Sequence, residues 1–181
     1  QQVLNQSQAS QSPYPFEFHL LDAPDTINAF ALPGGQIFVT TGLLKALDTE
    51  SQLAGVLGHE IGHVVARHGA EHLARQQLGA ILVNAVGIAA ASDERQGGQQ
   101  AAAIAQAVNQ IVGLNYSRED ELESDRLGFE FMIAANYNPE GIVELIQVFE
   151  SAESQGRPPE FLSTHPNPGN RVSRLQNIIQ V

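Results

Sequence analysis

The chain has 181 residues, 43% of them hydrophobic, and a formal net charge of −11. This length and composition allow one domain with one sizeable core. The negative charge argues against a nucleic-acid partner, whose phosphates would be repelled, and disfavours adsorption to anionic membrane surfaces. The chain has no cysteine, which excludes a disulfide framework and leaves the redox compartment open.

The N-terminal third predicts an arm followed by a small sheet. Residues 1–15 are rich in Gln, Ser and Pro, which indicates a poorly ordered arm, and residues 16–181 are predicted to form a single domain. A loosely alternating stretch at 16–21 indicates one strand. Two more strands form a predicted hairpin around a turn signal, at 26–32 and 36–41 on either side of Pro33-Gly34-Gly35.

Helical periodicity and cap signals account for the remainder of the chain. Helices are predicted at about 43–47, 49–68, 71–91, 99–114, 117–135 and 139–153, with a last one beginning at 168 or 170. The apolar run at 79–91 is shorter than the roughly 17–25 residues that a transmembrane helix needs. We therefore favour a buried hairpin of this run with 101–114 over a surface that faces a membrane or a partner. The fold class is α+β and predominantly helical.

His59 and His63 lie four positions apart in the helix predicted at 49–68, so they are about 40° apart around the helix and one turn from each other. Both imidazoles can reach one tetrahedral zinc ion at about 2.0–2.1 Å. Glu60 lies next to the first histidine, where a general base for a zinc-bound water is needed. The wheel turns Glu60 into the apolar stripe, where a carboxylate without a function would be costly. The pattern predicts a catalytic zinc site.

Three glycines, Gly55, Gly58 and Gly62, lie on one face of the same helix. A glycine inside a helix costs roughly 0.5–1 kcal/mol relative to alanine. Their clustering predicts that another helix or a ligand comes close to the backbone on this face.

The third zinc ligand is expected from the acidic segment 117–125, because a catalytic zinc takes three protein ligands and leaves one position for water. On the helical wheel Glu121 and Asp125 face inward. Glu121 is the candidate ligand, and Asp125 is expected to hydrogen-bond the second nitrogen of a ligand histidine. The alternative is a solvated acidic face, which we accept for Glu119, Glu123 and Glu130. Without the histidine motif, the two readings of Glu121 would be evenly balanced.

These motifs and their order resemble the gluzincin zinc metallopeptidases related to the CAAX prenyl protease and the HtpX-type proteases. The resemblance includes His59-Glu60-Ile61-Gly62-His63 and Glu121-Leu122-Glu123-Ser124-Asp125. It extends to residues 28–35, which resemble the family's strand beside the active site, and to His165-Pro166 with Arg171, which resemble its C-terminal element. Ser124 stands where the family usually has alanine. The membrane-spanning helices of the CAAX and HtpX branches are missing, so the chain is identified as similar to the catalytic domain of soluble or peripheral bacterial members.

The resemblance implies a zincin-type domain with a small sheet against the active-site helix and one Zn²⁺ per chain. The implied function is that of an endopeptidase that hydrolyses internal peptide bonds of proteins, in protein quality control, with zinc-activated water and Glu60 as general base. His165 and Arg171 are implied to approach the zinc and to stabilise the oxyanion. A second hypothesis is that His165 takes the fourth zinc position and closes the site.

Protein or peptide substrates are the expected partners. They could bind extended along an edge strand formed by Asn28, Ala29, Phe30 and Ala31, which can also pack as an ordinary strand. Membrane-peripheral association through regions outside this chain and a periplasmic or membrane-associated bacterial location follow from the resemblance alone, and the oligomeric state is open. The alternative function is a latent or chaperone-like zinc-containing binding module with little proteolysis. The remaining histidines are expected to be structural or solvated: His19, His68 and His72.

Overall fold

A computed structural model describes residues 1–84, 115–154, 156, 159–166 and 170–179. Its sheet has three strands: β1 (Glu17–Leu21), β2 (Ala29–Ala31) and β3 (Gln36–Thr40). The strand order is β1-β3-β2, with β3 parallel to β1 and antiparallel to β2. The predicted hairpin of β2 and β3 is therefore confirmed, and β2 forms an edge of the sheet.

Helices supply most of the remaining described residues, so the predicted helical α+β class is confirmed. They are α1 (Gln2–Asn5), α2 (Thr41–Ala46), α3 (Glu50–Val65), α4 (His68–Asn84), α5 (Arg118–Ala134), α6 (Glu140–Ser154), α7 (Phe161–Thr164) and α8 (Arg171–Ile179). The predicted hairpin of 79–91 with 101–114 falls largely outside the described residues. Among the helices that are described, none combines the length and apolar character needed to cross a membrane.

Local sequence signals set the two ends of α3. At its start the Thr49 hydroxyl accepts a hydrogen bond from the Gln52 backbone N–H at 3.2 Å, as the capping-box spacing predicts. At its end Arg67 adopts a left-handed conformation with φ of 65°. This turn ends α3 before His68, where the sequence predicted the end of the helix. The next helix, α4, begins at His68 in a new direction.

The glycine face of α3 packs directly on α5. A Cβ atom at Gly58 would lie 3.0 Å from the carbonyl oxygen of Gly128, and one at Gly62 would lie 3.0 Å from that of Ser124. Gly55 plays the same part against Ile142 of α6, where a Cβ atom would lie 3.1 Å from Cα. The predicted close neighbour is thus a helix, and α3 and α5 meet backbone to backbone.

Residues 1–15 differ from the poorly ordered arm that their composition suggests. Val3 and Ala9 are 4% and 1% exposed and belong to the core cluster that contains Ile61. The Gln2 side chain donates a hydrogen bond to the carbonyl of Ala135 at 2.9 Å, at the end of α5. A few apolar side chains among many polar ones are enough to anchor this segment, and average composition does not detect them.

Candidate metal centre

Four buried side chains from three parts of the chain bring one donor atom each to a common point. His59 and His63 come from α3, Glu121 comes from α5, and His165 follows α7. Their donor atoms all lie within 4.8 Å of one another. All four residues are almost completely buried, so each must find its partners inside the protein.

The separations of these donors fit a tetrahedral zinc ion. Donors about 2.0–2.1 Å from such an ion lie about 3.3–3.4 Å from each other. His59 Nε2 is 3.0 Å from His63 Nε2 and 3.3 Å from His165 Nδ1, while Glu121 Oε1 is 3.3 Å from His63 Nε2. Three imidazole nitrogens and one carboxylate oxygen form a donor set that zinc accepts. The site therefore fits one zinc ion.

Asp125 and Arg171 surround the far side of His59. His59 Nδ1 lies 2.9 Å from Asp125 Oδ1, the position at which Asp125 was expected. Arg171 donates to both oxygens of Asp125, from Nε at 2.8 Å and from Nη2 at 2.6 Å. These hydrogen bonds from Arg171 to Asp125 and from His59 to Asp125 orient the His59 ring with Nε2 directed at the metal position. An imidazole that donates from Nδ1 presents Nε2 as a ligand.

Arg171 also contacts Glu121 and is itself almost fully buried. Its Nη1 lies 3.0 Å from Glu121 Oε2, and the residue is 4% exposed. The guanidinium thus approaches the site as the resemblance implies. Its hydrogen bonds, however, go to Asp125, and Glu121 is its ion-pair partner, which favours a role in holding these carboxylates over the predicted contact with an oxyanion.

Glu60 lies beside the donors and keeps one carboxylate oxygen without a hydrogen-bond partner among the described residues. The residue is 1% exposed, and the oxygen without a partner is Oε1. This oxygen is 3.5 Å from His165 Nε2, and the Ala31 backbone N–H bonds the carboxyl group. A buried carboxylate with a free oxygen is costly to keep. Its position next to the metal donors suits a group that accepts a proton from a reacting water.

The electrostatics of the site separate its titratable groups. Burial raises the pKa of Glu60, an effect that nearby His165 and His59 only partly offset. Burial also raises the pKa of Glu121, but His165 and His59 outweigh it and hold that pKa well below its usual value. Burial lowers the pKa of His63 well below its usual value. Glu121 is thus a carboxylate and His63 a neutral imidazole, the forms in which both bind metals.

His59 behaves differently from His63, although the two are one turn apart. Burial lowers its pKa, but Glu121 and Asp125 outweigh burial and raise that pKa to about 9. The carboxylates around His59 therefore attract a positive charge to this ring, whether it is a proton or a metal ion.

His68 and Tyr116 are two neighbours of the site that sequence reasoning missed. His68, expected to be structural or solvated, is 5% exposed, and its Nδ1 lies 3.0 Å from His63 Nδ1. The ring of Tyr116 stacks on that of His63 with centroids 4.0 Å apart. A helical wheel centred on α3 cannot place His68, because the turn at Arg67 ends the helix first. Tyr116 lies just before α5 and carries no motif.

The edge strand beside the metal position is built as expected, and β2 packs on α3. Asn28 donates its backbone N–H to the Thr40 hydroxyl, whereas its side-chain oxygen is buried without a partner among the described residues. Ala29 and Ala31 pair with Val39 and Ile37 of β3. In an antiparallel pair of strands only every second residue directs its backbone N–H and C=O groups at the partner strand. Ala29 and Ala31 are the intervening residues, so their backbone groups face the open edge of the sheet.

Comparison with known proteins places the whole chain in one family. The sequence profile described as "Peptidase family M48" matches residues 1–179. Over 175 residues the chain is 35% identical to the "Beta-barrel assembly-enhancing protease" of Escherichia coli (strain K12), a match that covers 94% of this chain and 36% of that protein.

Mitochondrial proteins are similar to a comparable degree. The chain is 37% identical over 173 residues to "Metalloendopeptidase OMA1, mitochondrial" of Bos taurus, which covers 89% of this chain and 32% of that protein. It is 35% identical over 162 residues to "Mitochondrial metalloendopeptidase OMA1" of Schizosaccharomyces pombe, covering 89% and 46%. The chain thus spans between about a third and a half of the length of these relatives.

Proposed function

Because the chain belongs to Peptidase family M48, which confirms the predicted class of zinc metallopeptidase, we propose that it is the catalytic domain of an endopeptidase that cleaves internal peptide bonds of proteins. The N-terminal segment packs into the core, so the proposed domain includes residues 1–15 as well as 16–181. The observation that carries the proposal is the buried group of four donors with Glu60 beside it.

His59, His63 and Glu121 would hold the zinc ion, which supplies an activated water and polarises the substrate carbonyl. Glu60 takes the proton of the attacking water and then delivers it to the leaving amine. Its buried position keeps bulk water away from the free carboxylate oxygen. Asp125 and Arg171 keep His59 in the tautomer that leaves Nε2 for the metal.

His165 has two proposed roles that exclude each other at any one moment. With Nδ1 among the donors, it occupies the fourth position, which a water needs for catalysis. When its segment moves away, the ring can donate a hydrogen bond to the oxyanion of the tetrahedral intermediate. The arrangement supports a resting state that is closed and an active state that a substrate opens.

We propose that substrates bind as an added strand along β2. The backbone groups of Ala29 and the carbonyl of Ala31 lie on the open edge, where an extended peptide can pair with them. Asn28 belongs to the same predicted set, but its backbone N–H bonds Thr40 and its side-chain oxygen is buried, so it contributes by fixing the start of the edge. Phe30 belongs to the same predicted set, but its backbone faces β3, so it contributes by keeping the strand in place.

A cleft of about 290 Å³ lies next to the metal position and the end of β2. Among the residues that line it are Leu32, His63, Val64 and Tyr116, and most of its surface is apolar. An apolar side chain of a peptide bound along β2 can enter it.

The biological setting is proposed by analogy with the relatives. One is named for enhancing β-barrel assembly and others for a mitochondrial location. We propose protein quality control at a membrane, in the periplasm or at a membrane surface of a bacterium. The second candidate function, a latent zinc-containing binding module, is favoured by one observation, the presence of His165 among the donors.

The test is a comparison of the parent with the Glu60→Gln variant on casein and on quenched peptides. We expect the variant to keep one zinc ion per chain and to lose turnover by roughly 10²–10⁴-fold, the usual contribution of a general acid-base. Glu119→Gln, an exposed change on α5, is the control and should cleave like the parent. If the parent binds zinc but cleaves nothing, and the His165→Ala variant also cleaves nothing, the binding module is supported instead.

A further inference from the structure

The two histidines of α3 need the same kind of support, and Asp125 can give it only to His59. His63 directs Nε2 at the metal position, 3.0 Å from His59 Nε2 and 3.3 Å from Glu121 Oε1. Its Nδ1 must then carry the hydrogen and needs an acceptor. Metal-bound histidines nearly always donate this second N–H to a carboxylate, a carbonyl or a water. For His63 the structure offers a different partner.

The partner of His63 is the first residue of α4. His68 Nδ1 lies 3.0 Å from His63 Nδ1, and the Ser124 hydroxyl lies 3.3 Å from His68 Nδ1. On its other side, His68 Nε2 lies 3.2 Å from Glu123 Oε2 and 3.7 Å from Asp120 Oδ1. His68 is 5% exposed, so water contributes little to its bonding.

We propose that His68 is a positioning residue for the zinc ligand His63 and acts with Glu123 as a bridge from that ligand to the surface carboxylates of α5. This inference rests on the proposed zinc site. It assigns to His68 and Glu123 the task that Asp125 and Arg171 perform for His59.

One set of tautomers satisfies every contact in this bridge. His63 Nδ1–H donates to His68 Nδ1, which leaves the hydrogen of His68 on Nε2. His68 Nε2–H then donates to Glu123 Oε2. Because an imidazole cannot accept on both nitrogens while it carries only one hydrogen, the carboxylate at the far end fixes the tautomer at the near end. Glu123 thus selects the metal-binding tautomer of His63 through two hydrogen bonds, one that it accepts from His68 and one that His68 accepts from His63.

The position of His68 depends on the unusual end of α3. The left-handed residue Arg67 turns the chain so that His68 folds back beside His63, five positions later in sequence. Glycine is the residue that adopts this backbone most readily. An arginine there holds a conformation that is unfavourable for its side chain, and the resulting turn places an acceptor at the ligand. A histidine that served core packing alone would not need this contact.

The experiment compares three substitutions by zinc affinity in chelator competition and by the visible spectrum of the Co²⁺-loaded protein. His68→Phe keeps an aromatic ring at this position and removes both hydrogen bonds. His68→Gln keeps an acceptor and a donor at similar separation. His72→Phe is the matched control, because His72 lies one turn further along α4 and bonds Asp120 at 2.8 Å without touching a ligand.

We expect His68→Phe to weaken zinc binding by about 10–100-fold and to shift the Co²⁺ spectrum, as the loss of a supporting group does. His68→Gln should recover most of the affinity, and His72→Phe should stay close to the parent. Thermal unfolding with excess chelator should be alike for the two phenylalanine variants. A merely structural His68 would lower both unfolding temperature and affinity without rescue by Gln.

Parent-like zinc affinity in His68→Phe would overturn the inference and leave the proposed function intact. Equal weakening by His72→Phe would overturn it as well. If His68→Phe does not fold, Glu123→Ala decides, because that side chain is half exposed and its removal leaves the core unchanged. Several-fold weaker zinc binding is then expected, and unchanged binding contradicts the bridge. A parent that binds no zinc would overturn both proposals.

Discussion

Two parts of the molecule supply donors to one site and differ in how they are held. His59, His63 and Glu121 stand on α3 and α5, which touch backbone to backbone through their glycine face. His165 follows the four-residue α7 and is held by ring packing and turn hydrogen bonds instead of by two long helices in close contact. Its ring stacks on Phe161 at 4.1 Å between centroids, and the preceding Thr164 accepts a hydrogen bond from the Tyr116 backbone at 3.1 Å.

The difference separates a fixed part of the site from a part that can leave it. The helix pair cannot change its spacing without breaking close packing, so its three donors keep their geometry whether or not a substrate is bound. The described segment with His165 is one short helical turn, joined to the rest of the chain by backbone hydrogen bonds at Phe161 and Thr164, and short elements of this kind are the ones that open locally. We therefore propose that three donors of the site are fixed and that the fourth, His165, can be exchanged for another ligand.

The largest expected effect is on the fixed part. Replacing Glu121 by alanine removes the proposed carboxylate ligand, and Asp125 cannot take its place because Arg171 holds both of its oxygens. We expect zinc affinity to fall by more than the 10–100-fold that the loss of a supporting residue costs, with peptide cleavage lost. Chelator competition measures this, with Glu119→Ala as an exposed control on the same helix. Zinc affinity like that of the parent would mean that Glu121 is not the third ligand.

A second prediction concerns the spacing of the helices. A Cβ atom at Gly128 would lie 2.9 Å from the His59 backbone nitrogen, so Gly128→Val must push α5 away from α3. We expect the free energy of unfolding to fall by about 1–3 kcal/mol, the usual cost of overpacking, and zinc to bind more weakly. Urea unfolding with and without chelator measures both effects. Glu130→Val adds the same side chain on the exposed face of α5 and should change little.

The part of the site on α3 and α5 was also the part that could be predicted from the sequence. Helical periodicity is local, so it places His59, Glu60 and His63 on one face and turns Glu121 and Asp125 inward without knowledge of the fold. Neighbours that depend on a change of chain direction are beyond that reasoning. His68 is brought to His63 by a left-handed residue, and His165 comes from a distant loop that only the family resemblance connected with the zinc.

The N-terminal segment shows a limit of a different kind. Average composition describes residues 1–15 as polar, but folding depends on the few side chains that can be buried. Val3 and Ala9 pack in the core beside α3, and Gln2 bonds the end of α5. A segment of this composition gains its order from the surface it meets, which a single sequence does not display.

A smaller effect is expected from the exchangeable donor. His165→Ala should lower zinc affinity by less than tenfold, because the three helix-borne ligands remain, in contrast to Glu121→Ala. The fourth position should then accept a small anion. Azide added to the Co²⁺-loaded variant should change its visible spectrum, whereas the parent should respond weakly. Loss of zinc equal to that of Glu121→Ala would mean that His165 is as fixed as the other donors, and the comparison would fail.

The smallest expected effect concerns substrate binding along β2, which packs on α3. Asn28 and Leu32 use their backbone groups on β3, so Ala29 and the Ala31 carbonyl face the open edge. N-methylation of a bound peptide should therefore weaken affinity at every second residue, by roughly 2–10-fold, the value of one backbone hydrogen bond. Binding to Glu60→Gln measures this without cleavage. Losses without a two-residue period would contradict strand addition, because only a paired strand alternates between bonded and free N–H groups.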